Sequence, residues 1–204
     1  MSKEVSRKFY QRCFRFVGPI IRFFRPFDVF GQENIVNGPA LICSNHSAMI
    51  DPFHIALALG GDMQIRVIAK ISLFKIPIVS FFLWKLGMIP VDREAMDVGS
   101  VKRSLSYLKK GDKVVIFPEG TRASSYDASS AKSGAVKLAE RAKVPIMPVF
   151  MPRKKPFFRK TQVIFGEPYF VEKLSEKRSA DDYAKLSEEL MEKIQNLGDG
   201  NKWN

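Results

Sequence analysis

The stretch Pro39-Ala-Leu-Ile-Cys-Ser44 runs into Asn45-His46-Ser47-Ala48-Met49-Ile50-Asp51 and then into Pro52 to Leu59. The first piece is a short, continuous apolar run, which reads as a strand buried on both faces. The last is an apolar segment opened by proline and closed by Gly60-Gly61, which reads as a helix with Asp51 as its N-cap and Pro52 in its first turn. A buried strand that delivers a polar loop and then a helix is the repeating unit of an α/β domain.

The same alternation continues along the chain. Gln64 to Ile68, Gly87 to Val91, Lys113 to Phe117 and Pro145 to Phe150 read as strands. Pro77 to Leu86, Val98 to Lys109 and Ala131 to Arg141 read as the helices between them, with Thr161 to Val171 a late strand or hairpin and Asp181 to Leu197 a final amphipathic helix covering the sheet. The expectation is one α/β domain with a mainly parallel or mixed sheet flanked by helices. There is no internal repeat and no low-complexity tract.

Composition narrows the class. A chain of 204 residues is enough for one well-buried core, and 46% hydrophobic content excludes general disorder. A formal charge of +12 asks for an anionic partner, such as a membrane, a nucleic acid or an acidic ligand. Cys13 and Cys43 form no paired framework, which suits a reducing cytoplasm. Arginines interrupt every candidate signal-peptide core, and no run reaches the ~20 apolar residues of a spanning helix. The run Ile76 to Trp84 is apolar but short, and reads as buried or interfacial.

The first 27 residues carry seven positive charges and one negative, half of the excess of the whole chain. Placed on one helix, residues 3–25 set Arg7, Lys8, Arg12, Arg15, Arg22 and Arg25 within an arc of roughly 140°. Phe9, Phe14, Phe16, Ile20, Phe23 and their apolar neighbours take the other side. A basic face opposite an aromatic one marks a helix lying in the lipid interface; a core-packed helix with a basic rim is the plainer alternative. Gly18-Pro19 is expected to break or kink it. Residues 1–27 are therefore read as membrane-interface helices and 28–204 as the α/β domain.

Four short blocks carry chemistry. In the first, a neutral His46 imidazole can take a proton from an alcohol while Asp51 holds its other nitrogen, the base half of a serine-hydrolase triad. Asp51 is equally well explained, at this level, as a helix cap. The second block, Phe117-Pro118-Glu119-Gly120-Thr121-Arg122, ends a strand with a turn and a guanidinium suited to phosphate, or is a solvated turn. The third, Gly87 to Arg93, again delivers an arginine from a strand end, where a rim Asp–Arg pair is the simple reading. The fourth, Val144-Pro145-Ile146-Met147-Pro148-Val149, is a core strand framed by prolines.

In this order and spacing the four blocks resemble the motifs of the glycerolipid acyltransferase family, whose short bacterial members act on 1-acyl-glycerol-3-phosphate. The likeness runs from about Val29 to Gly166-Glu167-Pro168 and the terminal helix. It implies acyl transfer from acyl-CoA or acyl carrier protein to the sn-2 hydroxyl, with His46 as general base and Asp51 as its partner. It also implies that Arg93 and Arg122 hold the acceptor phosphate, that Glu119 and Gly120 shape its pocket with amides near Gly120 as oxyanion donors, and that Lys70 adds a phosphate contact. Val144 to Val149 would wall the acyl pocket. Ala123 stands where relatives often have serine. No cofactor, no metal and no nucleic acid partner is implied, and the place of action is the cytoplasmic side of an anionic membrane. Other acceptors, such as a lyso-ornithine lipid or glycerol-3-phosphate, and a non-catalytic basic membrane module remain as alternatives. His54 reads as packed or solvated, Cys43 as core, and Pro152 to Lys160 as a loop touching lipid or carrier, or simply solvated.

Overall fold

Leu41–Ser44 is buried at all four positions, as a strand covered on both faces must be. It is the second of seven strands in the computed structural model, which describes residues 7–61, 63–92, 97–172 and 178–199. The strands are β1 (Phe27–Phe30), β2 (Leu41–Ser44), β3 (Ile65–Lys70), β4 (Ile89–Val91), β5 (Lys113–Ile116), β6 (Ile146–Phe150) and β7 (Thr161–Phe165). The helices are α1 (Arg7–Phe24), α2 (Asp51–Leu59), α3 (Pro77–Leu86), α4 (Val98–Lys109), α5 (Gly134–Ala142) and α6 (Ala180–Asp199).

The strands form one sheet in the order β1-β7-β6-β2-β5-β3-β4. β6, β2, β5, β3 and β4 run parallel, while β7 pairs antiparallel with β6 and parallel with β1. The sheet is therefore mixed. β1 has no strand expectation behind it: Phe27 to Phe30 is a short run with Asp28 inside. The late segment is a single strand followed by an isolated bridge from Tyr169 to Ile146, not a hairpin. Pro148 is tolerated inside β6 because pairing with β7 begins only at Val149.

Side-chain alternation divides the apolar residues between two cores. Ile42, Val115 and Met147 face one cluster with Ile55, Leu57 and Phe165. Leu41, Cys43, Val114 and Ile146 face the other, with Leu108 of α4, Ala135 and Leu138 of α5, and Leu190 and Ile194 of α6.

α1 runs unbroken through Pro19, so of the expected break or kink the break does not occur. Pro19 lies on the exposed side, where water can satisfy the carbonyl that loses its partner, and Gly18 lies on the buried side. A Cβ on Gly18 would sit 2.9 Å from the Leu57 side chain, so glycine allows α1 to approach α2 closely. Phe14 and Ile21 share that inner stripe, and the Tyr10 hydroxyl donates to the Met63 carbonyl at 3.3 Å. The outer stripe leaves Phe16, Ile20 and Phe23 exposed, Phe16 by 70%. α3 buries no residue at all and exposes Ile78, Phe81, Phe82 and Trp84; Phe9 of α1 meets Phe81 and Phe82. Two neighbouring helices thus present apolar surface outward. Among the described residues no helix is long and apolar enough to cross a membrane.

His54 is fully buried on α2, its ring centroid 4.9 Å from that of Phe27. Burial, and then the charge of Lys155, push its pKa down to about 4, so it is neutral at physiological pH.

Candidate active site

β2 lies between β6 and β5 and parallel to both, so the loops that follow these three strands leave the same edge of the sheet. In open α/β sheets this carboxyl edge is where ligands bind. The Asn45 side chain ties two of the loops together: its amide donates to the Met151 carbonyl at 2.7 Å, and its carbonyl accepts from the Met151 N–H at 2.9 Å.

Asp51 does not cap α2. It is the first residue of the helix, and its Oδ2 turns back to accept from the amides of Ser47 at 2.8 Å and Ala48 at 2.9 Å. The same oxygen lies 2.9 Å from His46 Nδ1. With Nδ1–H donated to the carboxylate, Nε2 is left as the basic nitrogen. Asp51 is completely buried. Burial raises its pKa, but His46, Lys155 and the amides of Ala48 and Ser47 outweigh that and hold it down at about 2. The carboxylate is ionised throughout the physiological range.

The loop after β5 grips the His46 backbone from both sides. The His46 N–H donates to Glu119 Oε2 at 2.7 Å, and the Ala123 N–H donates to the His46 carbonyl at 2.9 Å. The imidazole stacks on Phe117 at a centroid distance of 4.1 Å and an interplanar angle of 21°. Glu119 Oε1 in turn accepts from Arg153 at 2.5 Å, and Arg153 also donates to the Ala123 carbonyl. Glu119 is therefore buried and holds two loops together.

Gly120 has φ +71°, a left-handed backbone that favours glycine. Its amide donates to the Phe117 carbonyl at 3.0 Å and is not a spare oxyanion donor. The amides of Thr121 and Arg122 make no backbone hydrogen bond among the described residues. Arg122 is exposed at the rim, and Lys70 is exposed at the end of β3 on the same edge of the sheet. Arg93 lies outside the described residues, two positions beyond the end of β4 at Val91.

Val144 to Val149 is a core strand, as its sequence suggests: Met147 and Val149 lie in one core, Val144 and Ile146 in the other. An apolar cleft of about 460 Å³ beside the site is lined by Ile20, Ile21 and Phe24 of α1, Met49 and Ile50 of the His46 loop, and Phe157. Sequence reasoning passed over Arg153 and Lys155 as part of a solvated or lipid-touching loop. Their place beside Asp51 follows from β6 running parallel next to β2, an order that the local sequence does not report. Among the described residues no group of three His, Cys, Asp or Glu side chains is placed to hold a metal ion.

The fold and this edge of the sheet define an α/β protein with a buried carboxylate orienting an imidazole, an arrangement able to take a proton from a bound hydroxyl. A family model described as Acyltransferase matches residues 26–152, and the chain belongs to that family. It is an O-acyltransferase. The 1-acyl-sn-glycerol-3-phosphate acyltransferase of Bacillus subtilis (strain 168) is 31% identical over 175 residues, covering 83% of this chain and 86% of that protein. A chloroplastic 1-acyl-sn-glycerol-3-phosphate acyltransferase of Arabidopsis thaliana is 33% identical over 130 residues, 62% of this chain and 36% of that one. The crystal structure of the 1-acyl-sn-glycerophosphate acyltransferase PlsC from Thermotoga maritima superposes with a TM-score of 0.62 at 25% identity, covering 97% of this chain and 79% of that chain.

Proposed function

We propose that the enzyme transfers a fatty acyl group from acyl-CoA or acyl carrier protein to the sn-2 hydroxyl of 1-acyl-glycerol-3-phosphate, giving phosphatidic acid. The observation that carries this reading is the Asp51 carboxylate, buried, ionised and turned away from its own helix onto His46 Nδ1 at 2.9 Å. The names of the Bacillus and Arabidopsis relatives support the acceptor. His46 Nε2 takes the hydroxyl proton as the oxygen attacks the thioester carbonyl. The tetrahedral intermediate then expels the thiolate, which takes the proton from the imidazolium as thiol. Amides of the turn after Gly120 stabilise the oxyanion, and Arg122, with Arg93 and Lys70, holds the phosphate.

Arg122→Ala is expected to remove a charge-assisted contact of about 1.5–3 kcal/mol, raising KM for 1-acyl-glycerol-3-phosphate tenfold or more. Turnover of a lysolipid without a phosphate monoester, such as a lyso-ornithine lipid, should change little. Equal losses on both acceptors would take Arg122 out of phosphate recognition.

Residues 1–27 serve as the membrane-interface segment of the catalytic domain 28–204, working from the cytoplasmic face of an anionic membrane. The exposed phenylalanines of α1, the bare apolar surface of α3, and Phe157 and Phe158 support this reading, as do the arginines beside them. The apolar cleft of about 460 Å³ opens between α1 and the His46 loop, where an acyl chain can pass from the bilayer to the base. Because the inner stripe of α1 packs on α2, the test is substitution of the outer stripe and not deletion of the helix. Phe16→Ser with Phe23→Ser should leave the melting temperature close to wild type and reduce sedimentation with anionic vesicles in high salt, where charge attraction is screened. Undiminished sedimentation would place the anchor elsewhere.

A further inference from the structure

Asp51 has two oxygens, and only one is used by His46. Oδ2 accepts from His46, Ser47 and Ala48. Oδ1 faces the Lys155 ammonium at 3.0 Å, which is both its counter-ion and its hydrogen-bond donor. The Lys155 side chain is only 2% exposed, and its ammonium also donates to Ser47 Oγ at 2.7 Å. A lysine seldom sits in so dry a place without a partner, and this one is held by a carboxylate with no exposure at all.

We propose that Lys155 is a positioning residue for acyl transfer: its buried ammonium locks the Asp51 carboxylate toward His46 and compensates its charge, so that the imidazole rests as the neutral base. The proposal rests on the base role of His46 set out above. Three groups from two segments are joined in a line, from the cation in the loop after β6, through the carboxylate that opens α2, to the imidazole in the loop between β2 and α2. Without the cation, a buried anion would face the ring alone and favour the imidazolium, which cannot accept a proton. At an anionic membrane, where the surface potential enriches cations and protons, a fixed positive charge beside the dyad keeps the base available. Ser47 is not activated by this lysine as in a serine–lysine pair, because an ammonium paired with a carboxylate donates to the hydroxyl and takes no proton from it.

The charged and titratable groups near Lys155 are Asp51 and His54 of α2, Arg25 just beyond α1, and Arg153 on its own loop. Those on His46 are Asp51 and Glu119, the latter through the backbone N–H. Burial lowers the Lys155 pKa while Asp51 raises it. Arg25 and Arg153 remain when Lys155 is replaced, so the change in charge at Asp51 is that of one ammonium.

The test is the pH dependence of kcat/KM for the full chain acting on vesicle-borne 1-acyl-glycerol-3-phosphate, in Lys155→Met, Lys155→Gln and Lys155→Arg. The acidic limb is expected to move to higher pH by about one unit or more in the Met and Gln variants, and to stay near wild type in the Arg variant. Gln can still donate to Asp51 Oδ1, so it separates the charge from the hydrogen bond and serves as a second variant should Met fold poorly. A merely structural lysine would lower the melting temperature and the amount of active enzyme without moving the limb; that result overturns the proposal. His46→Ala, measured in parallel, keeps the two ideas apart. An inactive His46→Ala with an unmoved limb in Lys155→Met rejects the role of Lys155 alone, whereas an active His46→Ala rejects the base itself.

Discussion

His46→Ala is expected to lower kcat for acyl transfer by roughly 10²–10⁴, the span that a positioned general base contributes. The protein should remain folded. The alanine variant leaves Asp51 Oδ2 with the amides of Ser47 and Ala48, and Oδ1 with the Lys155 ammonium, so no buried charge is stranded. The backbone contacts of residue 46 to Glu119 and Ala123 also persist, since they use only its N–H and carbonyl. The loss should therefore fall on kcat, with the melting temperature and vesicle binding near wild type. A drop in melting temperature that tracked the loss of activity would make the histidine a packing residue against Phe117 instead.

The second large effect belongs to Glu119. Glu119→Ala removes the acceptor of the His46 N–H and the partner of the Arg153 guanidinium, whose side chain is 13% exposed. Breaking a buried pair from one side is destabilising by about 3–5 kcal/mol, a sizeable part of the ~5–15 kcal/mol that holds a typical domain together. The denaturation midpoint measured without substrate should fall accordingly, and kcat should fall with it because the imidazole loses its brace. Glu119→Gln, which can still accept from His46, should be milder on both counts. A side chain that merely touched the acceptor would behave differently, raising KM and leaving the substrate-free midpoint untouched.

Much of this architecture was legible in the chain, and the reasons are physical. β2, β5 and β6 are short apolar runs bounded by turn residues, and α4 is expected and observed over Val98 to Lys109 because its apolar positions recur at helical spacing and Asp97 accepts from the Ser100 N–H. Where the reading slipped, a tertiary contact decided. Gly18-Pro19 looked like a helix break, yet Gly18 is needed for close packing on Leu57 and Pro19 faces outward. Asp51 was ambiguous between a cap and a catalytic partner because an acid five residues after His46 and just before Pro52 satisfies both readings; only the direction of its carboxylate separates them. Arg153 and Lys155 were invisible as site residues because their partners lie 34 and 104 positions away in the chain, and nothing local in Pro152 to Lys160 reports that distance.

The most direct test supplies purified enzyme on anionic vesicles with an acyl thioester labelled in its acyl group and with 1-acyl-glycerol-3-phosphate, and locates the label in the products. Wild type is expected to place it on the sn-2 oxygen, forming phosphatidic acid, while folded His46→Ala forms almost none. Label recovered as free fatty acid, on a different acceptor, or equally well by His46→Ala would contradict base-catalysed acylation of the lysophospholipid.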